Sequence, residues 1–347
     1  MGGAFLSAVL GQAQRWRMGS LGGAGASQSA AGTVRVQLAA VNPLSVAQAA
    51  PGGTWPPRAI GPRWAVWTSG FGLGGSNDGD GSVGSARLGY SMGGGAFGAD
   101  VEVAPGLLLG GAVGAAGSDF SLDGRLARGT ARTIYFGAYG AWTMGPLAVD
   151  AAFGYGHGQF STARTVTLGA INELANGAFD GNQYGGRIEA GWRFMTGGYE
   201  LMPFAGVAVQ ALRQDDYRES TTNAATGLPG ILGLSYQAET TTSVRSFLGG
   251  QATTTLRLGE RLRVSPRLRI AWAHEFTNDR QVNASFLAIP GAAFTVSGAR
   301  PARDAAIVGA GVDVALGRNV AVFAQFDGDI AAGASAYAGS GGLRFSW

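Results

Sequence analysis

The sequence predicts an all-β fold, a twelve-stranded antiparallel transmembrane β-barrel, and three observations carry that expectation. From Arg63 to the last residue, segments of about 10–18 residues alternate apolar and polar side chains, the period-two pattern of strands with two unlike faces. Short turns and longer polar stretches alternate between those segments, as in barrels with tight turns at one end and large loops at the other. No apolar run approaches the ~20 residues a spanning helix requires, although mean hydropathy is +0.12. In lipid, the remaining way to satisfy every backbone N–H and C=O is a closed barrel.

Composition narrows the function classes. Of 347 residues, 61 are Gly and 14% are charged, against about a quarter charged in soluble domains. There is no Cys, which excludes a disulfide framework, a thiolate nucleophile and a Cys-based metal site. All 25 basic residues are Arg, scattered along the chain, and the net charge is +3. No basic patch for nucleic acid follows from that distribution.

Residues 1–62 read as a linker. Within it, 3–18 (GAFLSAVLGQAQRWRM) fits a short helix, with Phe5, Val9 and Trp16 near one face and Gln12 interrupting the stripe. Residues 19–33 and 50–63 have the Gly/Ala/Ser- and Pro-rich composition of a connector. Met1 is followed by neither a basic n-region nor a clean apolar core of a signal peptide, and Ala47-Gln48-Ala49 sits too deep to serve as a cleavage site. The chain is therefore expected to be the C-terminal part of a longer protein, with its barrel over 63–347. The strands are expected near 63–73, 84–103, 107–118, 130–143, 147–160, 183–195, 201–214, 242–258, 262–276, 305–316, 319–328 and 336–347. Tight turns fall at Pro105-Gly106, Gly145-Pro146, Gly197-Gly198, Gly259-Glu260 and Gly317-Arg318. Long loops fall near 74–82, 117–130, 161–182, 214–240, 278–304 and 328–335.

The faces of these strands have an inverted polarity. Arg187, Glu189 and Arg193 oppose Ile188, Trp192 and Phe194; Arg263, Ser265, Arg267, Arg269 and Glu275 oppose Val264, Leu268, Ile270 and Trp272. Arg245, Gln251, Thr253 and Arg257 oppose Leu248, Ala252 and Leu256, and Asp313 and Asp327 lie opposite neighbouring valines and Phe326. A closed sheet of twelve strands is too wide for side chains to fill, so its charged face belongs to a wet lumen and its apolar face to lipid. The lumen charges are expected to be Arg187, Glu189, Arg193, Arg245, Arg257, Arg267, Arg269, Glu275, Asp313 and Asp327, joined by Asp100, Glu102 and Arg263. Trp64, Trp142, Trp192, Trp272 and Trp347 sit towards strand ends, where an interfacial aromatic girdle is expected.

The runs WAVWTSGFGLGG (64–75), GADVEVAPGLLLGGAVG (98–114), GGRIEAGWRF (185–194), LMPFAGVAVQALR (201–213), RLRIAWAHEF (267–276) and the closing GGLRFSW (341–347) resemble, in order, the β-domain of type Va (classical) autotransporters. The resemblance implies a barrel in the bacterial cell outer membrane that carries an N-terminal passenger to the cell surface, with a helix threaded through the pore and no cofactor. Its implied partners are outer-membrane lipid, the barrel-assembly machinery, and the chain's own passenger or linker; nucleic acid is not among them. Ser340, Gly342, Phe345 and Trp347 occupy the places of the family's assembly signal, in which a strand edge offers main-chain bonds and alternate side chains give specificity. The lumen charges would hold one another and the threaded segment; in an open pore they would set ion selectivity. Two features depart from the family: fewer than 65 residues precede the barrel, and the first Asn is Asn42, beside Pro43, which does not suit a cleavage at Asn on the pore helix. A porin-like channel or adhesin-type barrel is the alternative reading, and a barrel hydrolase acting from the outer rim is a third.

Chemistry has few candidates. His157 shares a row with Phe153 and Tyr155, and His274 shares one with Ile270 and Trp272, so both are expected to face lipid near the outer rim. Glu275 points the opposite way from His274, and Ser161, four residues after His157, has no ordered acid partner in the sequence. The stretch Asn77–Gly81 reads as a turn, because it lacks the twelfth-position Glu and the flanking helices of a calcium loop.

The C-terminal pattern gives a first prediction. Phe345→Ser combined with Trp347→Ser should block outer-membrane assembly while synthesis continues, read as loss of the heat-modifiable folded band from outer-membrane fractions. Normal insertion of the double variant would count against the assignment of these residues.

Overall fold

The first and last strands pair with each other, so the sheet has no free edge. In this computed structural model the described residues are 2–23, 64–79, 81, 84–124, 126–259, 262–277, 280–289 and 291–347. Of the connector expectations, 24–33 and 50–63, with Asn42 and the 47–49 stretch, lie outside them, whereas 19–23 are helix rather than connector.

Twelve strands form the wall: β1 (Trp64–Asn77), β2 (Leu88–Ala104), β3 (Leu107–Leu122), β4 (Ala127–Met144), β5 (Leu147–Leu168), β6 (Ile171–Trp192), β7 (Tyr199–Gln214), β8 (Glu239–Thr254), β9 (Leu262–Glu275), β10 (Asp304–Leu316), β11 (Val320–Ala331) and β12 (Ala334–Ser346). Each pairs antiparallel with the next, and β12 returns to β1 in a register running from Ala65 opposite Ser346 to Asn77 opposite Ala334. Trp64 N–H donates to the Trp347 carbonyl at 3.3 Å and Trp347 N–H returns a bond at 3.0 Å, sealing the end of the seam. The tight turns lie where expected, with Gly106, Gly145, Gly197, Gly198, Gly259 and Gly317 all at positive φ, a conformation glycine adopts without steric cost.

Three loop expectations are corrected. In 328–335, β11 runs to Ala331 and β12 starts at Ala334, leaving a two-residue turn. Most of 117–130 is strand, with β3 reaching Leu122 and β4 starting at Ala127, and most of 161–182 is strand, with β5 and β6 paired all the way to Leu168 opposite Ile171. In these extensions hydrophobic alternation carries no signal, because the covered face of β6 there is made of Glu173, Ala175 and Gly177, charged or small residues. A four-stranded sheet made of 217–218, 234–236, 281–286 and 293–297 joins them at the long-loop end. Rings of Phe160, Phe179, Tyr217 and Tyr236 stack in series, 5.0, 4.5 and 4.5 Å apart, and tie that sheet to the extended hairpin. Arg164 adds a fork of two bonds to Glu219, at 2.8 and 2.6 Å, while the N–H groups of Ile231 and Leu232 each donate to Glu173 at 2.9 Å.

Helix α1 (Gly2–Gly23) fills the lumen. It is longer than the 3–18 expected. Phe5, Leu6, Val9, Leu10, Ala13 and Trp16 are buried, packed with Trp67, Phe71, Leu108, Tyr135 and Tyr139 of the wall. The lumen is thus dry and aromatic on the side of β1–β6, which corrects the expectation of an interior wet throughout. Burying each large apolar side chain against a water-filled alternative is worth roughly 1.5–3 kcal/mol, so this face anchors the helix.

Glycine makes that packing fit. A methyl group added at Gly98 would lie 2.4 Å from the Trp67 ring, and one at Gly110 2.4 Å from that of Tyr139. Gly114 and Gly137 flank the Phe5 ring at 3.0 and 2.9 Å in the same sense. At the seam, a methyl group at Gly342 would fall 1.9 Å from the Thr68 carbonyl oxygen of β1.

Gly342→Ala should therefore push β12 from β1 and cost about 1–3 kcal/mol, as overpacking of a close contact does. The measurement is the temperature at which the folded band converts to the unfolded one. Gly339→Ala, whose nearest atom would be 3.9 Å away, should leave that temperature unchanged.

Candidate functional site in the barrel lumen

The helix runs through the barrel in one direction. Gly2 lies at the long-loop mouth with Leu88, Phe120 and Tyr155, whereas Arg15, Trp16 and Met18 lie at the short-turn mouth with Trp64, Arg318 and Trp347. Its two arginines reach opposite walls. Arg15 Nε is 3.1 Å from Asp313 Oδ1 on β10, with its guanidinium 3.7 Å above the Phe323 ring of β11. Arg17 donates to Asp150 on β5. One turn nearer the long-loop mouth, Gln12 accepts a bond from Arg344 at 3.4 Å.

Arg344 belongs to a relay that crosses the seam. Its guanidinium forks onto Asp100 of β2 at 2.8 and 2.5 Å; Tyr139 O–H donates to the same carboxylate at 2.6 Å, and Trp67 Nε1 donates to Tyr139 at 2.7 Å. Four strands and the helix meet through this one buried carboxylate. A carboxylate held by a guanidinium fork is among the stronger pairings available in a buried site.

The remaining wall charges pair among themselves. Arg187 and Arg269 both bind Glu189, with Arg269 lying 3.8 Å over the Phe204 ring. Arg267 donates to Gln325 at 2.8 Å, and Gln325 donates to Asp327 at 2.7 Å. Arg245 pairs with Asp329, while Glu275 accepts from Ser243 O–H at 2.6 Å and Val244 N–H at 3.0 Å. Arg193 binds the Gly145 carbonyl at 2.6 Å, near Glu200, at the short-turn end. Of the ten charges read as lumenal, Arg257 departs: it is exposed at the short-turn rim, because the β8 ladder breaks at Thr255 and resumes only for Leu256 and Arg257. Asp313 takes the helix as its partner, a contact that strand alternation alone cannot reveal.

These wall charges line a crevice of about 360 Å³ beside the helix. The helix lines it with Gly3, Ser7, Gly11 and Gln14, a small and polar stripe at near-helical spacing, together with Ala4, Leu6 and Leu10 at its edges. The lumen is therefore two-sided, with an apolar seat on β1–β6 and a charged crevice on the other half. Sequence reasoning missed Arg15, Arg17, Asp150, Arg344, Trp67 and Tyr139. Parity was the available signal for Trp67, which lies an odd number of residues from outward-facing Trp64.

On the outside, Trp64, Trp142, Trp192 and Trp347 are exposed at the short-turn end and Trp272 at the other. Ser340 and Gly342 face inward from β12 while Phe345 and Trp347 face outward. His157 and His274 lie on the outer wall, with Nδ1 atoms 3.1 Å from Asn182 Oδ1 and 2.9 Å from Asp304 Oδ1, respectively. Glu275 faces the lumen, away from His274. Among the described residues, no group of three or more His, Asp or Glu is arranged to hold a metal ion.

The family described as autotransporter beta-domain matches residues 66–327. Curated relatives include an extracellular serine protease of Serratia marcescens, 24% identical over 56% of this chain and 18% of that protein. Another is the probable autotransporter YpjA of Escherichia coli, 26% identical over 51% of this chain and 11% of that protein. The chain thus matches less than a fifth of the length of these relatives. Among solved structures, the translocator domain of autotransporter NalP from Neisseria meningitidis superposes with a TM-score of 0.62 at 16% identity, covering 81% of this chain and 88% of that one. The beta domain of the Bordetella autotransporter BrkA gives 0.56 at 19% identity, covering 81% and 98%. With a closed twelve-stranded wall, a helix through its lumen and a family match across three-quarters of its length, this chain belongs to the autotransporter β-domain family, the translocator barrels of the bacterial outer membrane.

Proposed function

We propose that this barrel anchors and delivers a passenger joined ahead of Gly2, and that α1 is the trailing segment left in the lumen when delivery ends. The observation that carries this reading is the direction of the helix: its N-terminus lies at the long-loop mouth and its C-terminus at the short-turn mouth. Any chain preceding Gly2 then emerges on the long-loop side, the cell surface in a barrel of this family, while the connector to β1 stays on the periplasmic side. Neither a cofactor nor any breaking of bonds in the lumen is needed for that task. The assembly machinery would read Ser340, Gly342, Phe345 and Trp347 on β12, and Trp64, Trp142, Trp192 and Trp272 would sit at the two lipid interfaces.

The wall charges divide the work. Asp150 and Asp313 grip the helix through Arg17 and Arg15, and Asp100 through Arg344 and Gln12. Arg187, Glu189, Arg245, Arg267, Arg269, Glu275 and Asp327 keep the crevice charged yet internally paired. Such a wall offers a passing polypeptide few uncompensated charges to stick to.

An epitope fused ahead of Gly2 should be cut by protease added to intact cells. Cutting only after the outer membrane is permeabilised would reverse the proposed direction. In planar bilayers the intact chain should stay largely closed, and deletion of residues 2–23 should give a steady large conductance; equal conductance would favour the channel reading. Arg15→Gln with Arg17→Gln should lie between the two, with frequent transient openings. Each broken buried pair leaves a carboxylate without its partner, a loss of about 3–5 kcal/mol in dry sites and less where water reaches.

A further inference from the structure

The translocator reading leaves a polar cluster on the apolar outer wall without a task. His274 of β9 faces outward, and its Nδ1 is 2.9 Å from Asp304 Oδ1 at the start of β10. Trp272 Nε1 donates to the same oxygen at 3.0 Å. Strand register sets His274 directly opposite Asp304 on one side and directly opposite Ser246 of β8 on the other. All three side chains lie on the outer face. Ser246 stands between lumenal Arg245 and Phe247, His274 between inward-facing Ala273 and Glu275, and Asp304 before buried Ala305. Directly opposed residues in an antiparallel pair have Cβ atoms about 4.5–5.5 Å apart, which puts the serine hydroxyl within side-chain reach of the imidazole.

The chemistry of this order is specific. A carboxylate on Nδ1 draws the proton of a neutral imidazole to that nitrogen and leaves Nε2 with a free lone pair, the form of a general base. A serine on the far side of the ring is then the group that base can activate. His157 lacks this arrangement: it meets the Asn182 amide oxygen on one side, and Ile134 is opposite on the other.

We propose that Ser246, His274 and Asp304 form a nucleophile, base and orienting acid on the outer wall, which hydrolyse acyl esters of outer-leaflet lipid. The neighbours indicate the substrate class. Trp272 and Phe276 flank His274 on the same face and are more than half exposed. Interfacial aromatics lie at the depth of lipid headgroups, where the ester carbonyls of lipids are found. Ser246 Oγ attacks the ester carbonyl carbon as its proton passes to His274 Nε2. The carbon–oxygen bond to the alcohol then breaks, and the alcohol leaves with that proton. Water, deprotonated by the same nitrogen, attacks the acyl-serine; the fatty acid is released and the hydroxyl regains its proton. Hydrogen bonds between nucleophile and base commonly tighten when substrate docks, and the Ser246–His274 bond is assigned to that step.

The test uses the full chain folded in detergent micelles, with folding of every variant checked by heat-modifiable mobility. A fluorophosphonate probe should label Ser246, its fluoride leaving as the Oγ–P bond forms, and a p-nitrophenyl ester of a medium-chain fatty acid should be hydrolysed. Ser246→Ala should abolish labelling, and both Ser246→Ala and His274→Ala should lower turnover by at least about 100-fold, the scale of a lost general base. Asp304→Asn, a change at a positioning residue, should lower kcat with little effect on KM, and His157→Ala should leave turnover unchanged. Folded wild-type protein that neither labels nor turns over would overturn the proposal, as would labelling or turnover that persists in Ser246→Ala. Folded His274→Ala with undiminished turnover would overturn it as well.

Discussion

Hydrogen-bond closure is the constraint on which the rest of this structure depends. In the hydrocarbon of a membrane, an unpaired backbone amide has no water to turn to, and each one costs several kcal/mol. The chain meets that demand only when β12 reaches β1, and the contact between them is close enough that Gly342 is needed against the Thr68 carbonyl oxygen. The C-terminal strand thus has three faces of responsibility. Its backbone closes the ring, Phe345 and Trp347 present apolar surface outward, and Arg344 reaches across the seam to Asp100.

Closure at twelve strands creates a second problem, because the lumen is wider than side chains can span. The chain fills it with its own helix, and the filling is uneven. Trp67, Tyr135 and Tyr139 form a seat whose depth is set by glycines on neighbouring strands, while the opposite half stays charged. An apolar seat gives adhesion without direction; Arg15 and Arg17, paired to opposite walls, add position and register. The exclusive use of Arg suits this role, since a planar guanidinium both forks onto carboxylates and stacks on rings, as Arg15 does over Phe323 and Arg269 over Phe204.

Much of this was legible from residues alone, for identifiable reasons. Lipid on one side and water on the other impose alternation, so the strands within the apolar band, their tight turns and their inverted polarity could be read directly. Alternation fails where the covered face is not apolar: Glu173, Ala175 and Gly177 are buried along 171–180, and residues 162–166 are half-buried on both faces, so both stretches read as loop although they are paired strand. It also fails where the lumen is dry: Trp67 and Phe71 point inward yet look like lipid-facing residues. Pairings between distant strands, such as Arg344 with Asp100 or Arg245 with Asp329, depend on register and on how the barrel curves, which no local pattern encodes. Arg257 was misplaced because the rule assumes an unbroken ladder, and the ladder breaks at Thr255.

The uneven strand lengths have a consequence for events outside the membrane. β5 and β6 have 22 residues each, whereas β11 has 12. At about 3.3 Å per residue, and allowing for strand tilt, the long hairpin stands roughly 25 Å taller than the opposite wall. The rim is therefore a parapet, high on one flank and low on the other, and its tall flank is stiffened by stacked rings and the Arg164–Glu219 fork. A polypeptide leaving this mouth is sheltered on one side and free on the other, so its first contacts with solvent have a preferred bearing fixed by the barrel.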